Sequence, residues 1–259
     1  MSVMRAPGGG GRSRLRVRPW QGDHAVAHVA PVGDFLGPLT TGDVVRSLGD
    51  LRRAGYRSAI TAALHRADRR PFVEAGFVET ERLHLLQHGF DRIRAASPPT
   101  GVELRRGRRR DHQEVLAVDT AAFQPFWRLD EAGLAEALTA TTSVHFQVAR
   151  RDGRVVGYAV CGRAGPRGYV QRLAVDPADQ RRGSGAALLY DGLRWLRRWG
   201  ARDALVNTQE GNERSLRLYH RAGFVLQAEG LAVLEISLDG EAPDADADAA
   251  THTRTRGAR

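Results

Sequence analysis

Two periods run through the apolar and polar positions of this chain. Residues 144–150 and 154–162 are strand-length apolar stretches flanking Arg151-Asp152-Gly153, a hairpin signal. Residues 182–199 follow the other period. Ala186, Leu189, Leu193 and Leu196 fall at i, i+3, i+7 and i+10, one buried helical stripe, and Gly200 ends it. Val115, Leu116, Val118 and Ala122 give a helix over 111–123 its apolar side. The same reading predicts helices at 130–140 and 213–221. It predicts strands at 102–105, 169–175, 204–207 and 224–238. An antiparallel meander followed by strand–helix–strand makes a mixed α/β sheet.

The pattern also divides the chain. Residues 1–13 are rich in Gly and Arg, and 241–259 hold almost no large apolar side chain. Neither stretch can repay its ordering entropy, so both are expected to be disordered. Residues 95–100 read AASPPT, a linker signal between segments 14–94 and 101–240. The two segments end alike. LRRAGYRSAITAAL then EAGFVETERLHLL closes the first; LRRWGARDALVNTQ then RAGFVLQAEGLAVL closes the second. The spacing from Gly55 to Gly76 nearly equals that from Gly200 to Gly223, which points to an internal duplication.

Composition narrows the class. The chain has 259 residues, 42% hydrophobic and 27% charged, within the globular range. One cysteine excludes an intrachain disulfide framework and a thiolate zinc site, and no metal is expected. No apolar run approaches the ~20 residues that span a bilayer, and no secretory signal opens the chain. The expectation is a soluble, cytoplasmic protein with no membrane partner. All 39 basic residues are arginine and the net charge is +9. Coding bias in a GC-rich genome accounts for this; a surface for nucleic acid is the competing reading.

Candidate chemistry is concentrated in Val170 to Ala186, VQRLAVDPADQRRGSGA. An apolar strand ends at a proline, and Gln180, Arg181, Arg182, Gly183, Ser184 and Gly185 then open a helix. Glycines let backbone N–H groups approach a ligand, and the helix N-terminus adds partial positive charge. This is a site for a diphosphate. It is not a Walker A loop, since no Gly-Lys-Ser/Thr follows. It is not the dinucleotide fingerprint, since Leu188 stands at the third glycine.

The run Q-R-R-G-S-G-A resembles the Arg/Gln-x-x-Gly-x-Gly/Ala signature of the GNAT family of N-acetyltransferases. NTQEGNERSLRLYHRAGF at 207–224 resembles that family's Asn-to-Gly-Phe stretch, with Asn212, Ser215, Leu218, Tyr219, Gly223 and Phe224 in register. The resemblance covers about 101–240. It implies a mixed, mostly antiparallel GNAT-type α/β sheet with flanking helices. It implies acetyl-CoA as co-substrate and an amine acceptor. Leu173, Ala174 and Val175 would meet the acetyl carbonyl and pantetheine. Gln180 to Ala186 would hold the pyrophosphate, and Asn212 its arm. Tyr219 would protonate the leaving thiolate, while backbone N–H groups stabilise the oxyanion.

The base departs from the family's pattern. Gln171 and Asn207 stand where members of the family place glutamates, so Asn207 holds a catalytic position with an amide that cannot accept a proton. Glu210 through water, or His145, could substitute. The first segment resembles a truncated, degenerate half-domain. If LRRAG aligns with LRRWG, then Pro38, Leu39 and Thr40 replace the loop glycines and serine, and Phe72 replaces the tyrosine. The leading reading is therefore acetyl transfer to a primary amine on a small molecule, peptide or protein N-terminus. A catalytically silent acyl-CoA-binding or Arg-rich, nucleic-acid-associated module is the alternative.

Overall fold

The computed structural model describes residues 14–32, 38–94 and 97–239. The terminal stretches 1–13 and 241–259 lie outside them, as do residues 95 and 96 of the linker. No helix among the described residues is long and apolar enough to cross a membrane.

The first half runs β1 (Leu15–Trp20), β2 (Asp23–Pro31), α1 (Thr41–Arg53), β3 (Ser58–Thr61), α2 (Arg66–Glu74) and β4 (Val78–His88). The second runs β5 (Glu103–Arg106), α3 (His112–Ala122), α4 (Glu131–Ala137), β6 (Ser143–Arg151), β7 (Arg154–Ala164) and β8 (Arg167–Val175). It continues with α5 (Ser184–Arg198), β9 (Asp203–Gln209), α6 (Glu213–Ala222), β10 (Val225–Leu226) and β11 (Leu231–Ser237). Every element read from periodicity in the second half is present, with ends shifted by a few residues. The long helix starts at Ser184 rather than 182, because Gly183 caps it with φ +92°. The strand expected over 224–238 is broken at 227–230, between β10 and β11.

All strands join one sheet in the order β1-β2-β3-β11-β4-β9-β8-β7-β6-β5, with β10 also on β4. Both halves show the same sequence of pairings: β2 is parallel to β3, and β8 is parallel to β9. The last strands then cross over. β4 of the first half pairs with β9 of the second, and β11 of the second pairs with β3 of the first. β4 and β11 run antiparallel to each other at the centre.

Side chains alternate between sheet faces, so the register fixes which helices share a face. One face carries α1 and α2 over Ala59, Ala232 and Leu234, and α5 and α6 over Leu86, Ala204 and Val206. The opposite face carries α3 and α4 over Val148, Tyr158 and Val160. The β1–β2 hairpin reaches across to the segment between α3 and α4. The Gln21 amide donates to the carbonyls of Pro125, Phe126 and Arg128 at 2.8–3.2 Å. Trp20 packs against Phe126, and Arg18 pairs with Glu136 of α4 at 2.7 Å.

Candidate active site

The site begins where two strands part. β8 and β9 pair only through Arg167–Tyr169 against Asp203–Leu205. Beyond that, β8 continues to Val175 on β7, and β9 continues to Gln209 on β4. A wedge therefore opens between β8 and β9. The Asp176 amide donates to the Val156 carbonyl, which makes Asp176 a hydrogen-bonded partner on the β7 side. By the antiparallel alternation, Ala174 also bonds β7, while the backbone groups of Leu173 and Val175 face the wedge.

The loop below the wedge is held in an open form. Gln180 donates to the Val175 carbonyl at 2.9 Å. Arg181 has φ +61° and Gly183 φ +92°, so the chain twice visits the left-handed region before α5. Asp179, 1% exposed, anchors the turn. It accepts from Arg151 at 2.7 Å and Arg154 at 3.1 Å on the β6–β7 hairpin, and Arg182 lies 3.5 Å away. Nothing in the motif reading signalled Asp179 or the hairpin arginines. A buried aspartate inside an arginine-rich loop was the available clue.

The N-terminus of α5 has no side-chain cap and no acidic residue in its first turn. Its leading amides are the orphan donors that every helix exposes. Ser184 is 1% exposed, yet its hydroxyl has no partner among the described residues. A Cβ on Gly183 would stand 3.3 Å from Pro99, and one on Gly185 3.4 Å from Val175. Arg181 is exposed and has no ionic partner among the described residues. An uncapped helix end, an orphaned hydroxyl and a free guanidinium fit a phosphate ester. Ala186 follows at the third helical position, partly buried against the α5–α6 core.

Tyr219 lies on α6, 5% exposed, with its ring 5.5 Å from Phe224. Burial pushes its phenol above the ordinary value, with the Cys161 thiol adding to the rise and Arg172 opposing it. Its hydroxyl makes no hydrogen bond among the described residues, while its carbonyl accepts from the Phe224 amide at 3.0 Å. Burial also raises the Cys161 thiol, to about 12, so it stays protonated and inert.

On the other face, Arg172 of β8 forks onto Asp119 at 2.7 and 2.8 Å and donates to the Trp127 carbonyl at 2.6 Å. Asp119, fully buried, also accepts from the Tyr158 hydroxyl and the Leu129 amide. Trp127 packs against the cluster of Leu83, Leu85 and Leu231, as does Leu205 of β9. The 125–128 segment thus bonds β8 on one bank of the wedge and packs on the β4–β11 cluster beside the other.

The remaining expected residues are not all brought together. Asn207 is exposed on β9, on the Trp127 face, opposite Leu85. Asn212 caps α6, its oxygen accepting from the Ser215 amide at 3.1 Å. Gln171 leans on Thr141, with its own oxygen buried and unpartnered among the described residues. His145 lies on the α5 face. Its Nε2 lies 2.7 Å from Asp191 and its ring stacks on Trp195 at 5.0 Å, so it is engaged on that face. Glu210 is exposed just past β9.

Residues 111–224 match the family model described as the Acetyltransferase (GNAT) family. The mycothiol acetyltransferase of Thermomonospora curvata is 31% identical over 226 residues, covering 78% of this chain and 75% of that protein. The chain belongs to the GNAT family. The mycothiol acetyltransferase of Acidimicrobium ferrooxidans is 32% identical over 134 residues. That match covers 48% of this chain but only 43% of the relative, under half its length. In fold, a tandem GNAT protein from the clavulanic acid biosynthesis pathway superposes with a TM-score of 0.62 at 12% identity, covering 84% of this chain and 77% of that one. This GNAT chain thus shares its overall fold with a solved tandem GNAT protein, at a similarity that speaks for fold alone.

Proposed function

We propose that the protein transfers an acetyl group from acetyl-CoA to a primary amine on a small molecule, peptide or protein N-terminus. The observation that carries this reading is the uncapped α5 N-terminus set below the wedge between β8 and β9. The α5 amides, Ser184 and Arg181 would hold the pyrophosphate, and the wedge-facing backbone of Leu173 and Val175 the pantetheine arm and thioester. Acetyl-CoA supplies the activated acyl group. The Leu173 amide would receive the developing oxyanion in a site shielded from water. Tyr219, kept protonated by burial, would give its proton to the departing sulfur. The curated relatives' shared name supports acetyl as the group transferred. Residues 101–240 would form the catalytic part, and 14–94 a degenerate half that binds no coenzyme A.

Thermal unfolding with and without acetyl-CoA tests the reading. At ~100 times its dissociation constant a ligand adds about 2.7 kcal/mol. At roughly 2–4 °C per kcal/mol, that is a rise of about 5–10 °C. Tyr219→Phe is expected to keep the rise while turnover falls ~10²-fold or more. A folded protein with no rise discards the coenzyme A site. Unchanged turnover in Tyr219→Phe removes the phenol as the acid.

A further inference from the structure

The second half carries amides, Gln171 and Asn207, at both positions where a carboxylate was expected. The exchanged strand brings a carboxylate from the first half. On β4, Leu83 and Leu85 stand opposite Gln209 and Asn207 of β9, on the face that carries Trp127. Glu81 lies two residues before Leu83 and so projects on that same face, opposite Val233 of β11. It is partly buried. In a chain of 39 basic residues, Glu81 has no ionic or hydrogen-bonding partner among the described residues. Its neighbours on that face are Leu83 and Val233, with Gln209 diagonal to it at roughly 7–8 Å. Of the nearby charged groups, Arg82 projects to the opposite face and is bonded to Glu79, and Glu210 is exposed beyond β9.

On the opposite face Leu189, Tyr219 and Val206 pack in one buried cluster. The amine would therefore arrive from the Trp127 side. The parallel register of β8 and β9, continued past Tyr169 and Leu205, sets Leu173 about level with Gln209. Glu81 then lies across β9 from Leu173, two residues along β4 from Leu83, which is level with Gln209.

Resting on the transfer proposed above, we propose that Glu81 receives the acceptor's ammonium group and acts as its general base. Through water, the Glu81 carboxylate first takes one proton from the ammonium and releases it to solvent, which frees the nitrogen lone pair. The amine nitrogen then bonds to the thioester carbonyl carbon, the C–S bond breaks, and the second nitrogen proton passes through water to Glu81. The sulfur takes the Tyr219 proton, which solvent restores as Glu81 gives its own up. Ammonium and thioester become amide, thiol and one proton released to solvent.

Glu81→Gln keeps the shape and removes the base. Three readouts test it. The first is the acetyl-CoA thermal rise. The second is calorimetric titration of 2-phenylethylamine into protein saturated with coenzyme A. The third is transfer to 2-phenylethylamine compared with O-methylhydroxylamine, which is unprotonated at neutral pH. The thermal rise is expected to stay. Affinity for 2-phenylethylamine is expected to weaken at least tenfold and its turnover to fall ~10²-fold, while O-methylhydroxylamine loses much less. Equal losses for both amines, or unchanged affinity and turnover, overturn the role. So does a wild-type protein that binds acetyl-CoA and acetylates neither amine. A wild-type protein without the thermal rise instead strikes the coenzyme A reading itself.

Discussion

The two halves repeat one strand–helix–strand–helix–strand run, β2 to β4 and β8 to β11, and within that run they differ at one junction. In the second half, β8 and β9 part after three paired positions, and α5 starts at a glycine with an empty cap. In the first, β2 and β3 pair at four positions, Val26–Val29 against Ser58–Thr61, and the Ala62 amide then bonds the Val29 carbonyl, so the pairing runs further. The N-terminus of α1 is also already filled. Thr40 and Asp43 form a reciprocal capping box, with Arg14 and Arg46 on the Asp43 carboxylate. The protein's own anion occupies the place where the proposed site of the other half would take a phosphate. The fold therefore repeats without the site, because the site depends on two strand ends and the first turn of a helix.

The halves are not separable, which gives the largest expected effect. β4 lies between β9 and β11, and β11 in turn closes on β3. Removing residues 1–94 would strip β4, and Leu86 with it, from the centre and expose Val206 of the shared core. The expected product is insoluble or unfolded by circular dichroism. A soluble fragment with a cooperative thermal transition would show that β9 and β11 can re-pair directly, as two separate domains would have them.

The next effect comes from giving α5 the first turn of α1. Asp43 is the third helical residue of α1, and Ala186 holds that place in α5. Ala186→Asp would put a carboxylate beside the proposed pyrophosphate. At an effective dielectric of about 20, like charges 4 Å apart repel by about 4 kcal/mol. Affinity for acetyl-CoA, measured by calorimetry, is expected to fall ~10²–10³-fold with the fold intact. An unchanged affinity would mean that the phosphates do not sit at this helix end.

Much of this was legible in the chain. The helical stripe from Ala186 to Leu196 and the Arg151-Asp152-Gly153 turn mark local structure, and local structure is what periodicity reports. The glycine loop marked the helix end because its chemistry lies within seven consecutive residues. Strand partners are another matter. Nothing in 78–88 says that it pairs with 204–209, since β4 and β11 both follow a Gly-Phe step and could close either half. With that pairing hidden, Glu81 could not be placed beside β9. Asp179 was missed for a similar reason: Arg151 and Arg154 are 28 and 25 residues away in sequence. His145 looked free because its partners, Asp191 and Trp195, lie on a helix some 46 residues or more away.

The smallest expected effect is the reverse exchange, Asp43→Ala. It removes the carboxylate that bonds the Thr40 amide at 3.0 Å and leaves the Thr40 hydroxyl on the residue-43 amide as the remaining arm of the box. Losing such a cap costs about 1 kcal/mol, read as a lower unfolding midpoint in urea with unchanged slope. The acetyl-CoA rise is expected to be unaltered, since α1 takes no part in that site. The loss should also depend on pH. Hydrogen bonds from the Thr40 side chain and backbone hold Asp43 below the ordinary carboxylate value of 3.8. Its contribution is therefore fully present above that value and disappears as pH falls through the lower folded one. The gap between wild type and variant should be constant at neutral pH and close in acid. A variant that gained a second acetyl-CoA site would show the reverse of the proposed division. The cap alone would then be silencing the first half, and the closed pairing of β2 and β3 would be no obstacle.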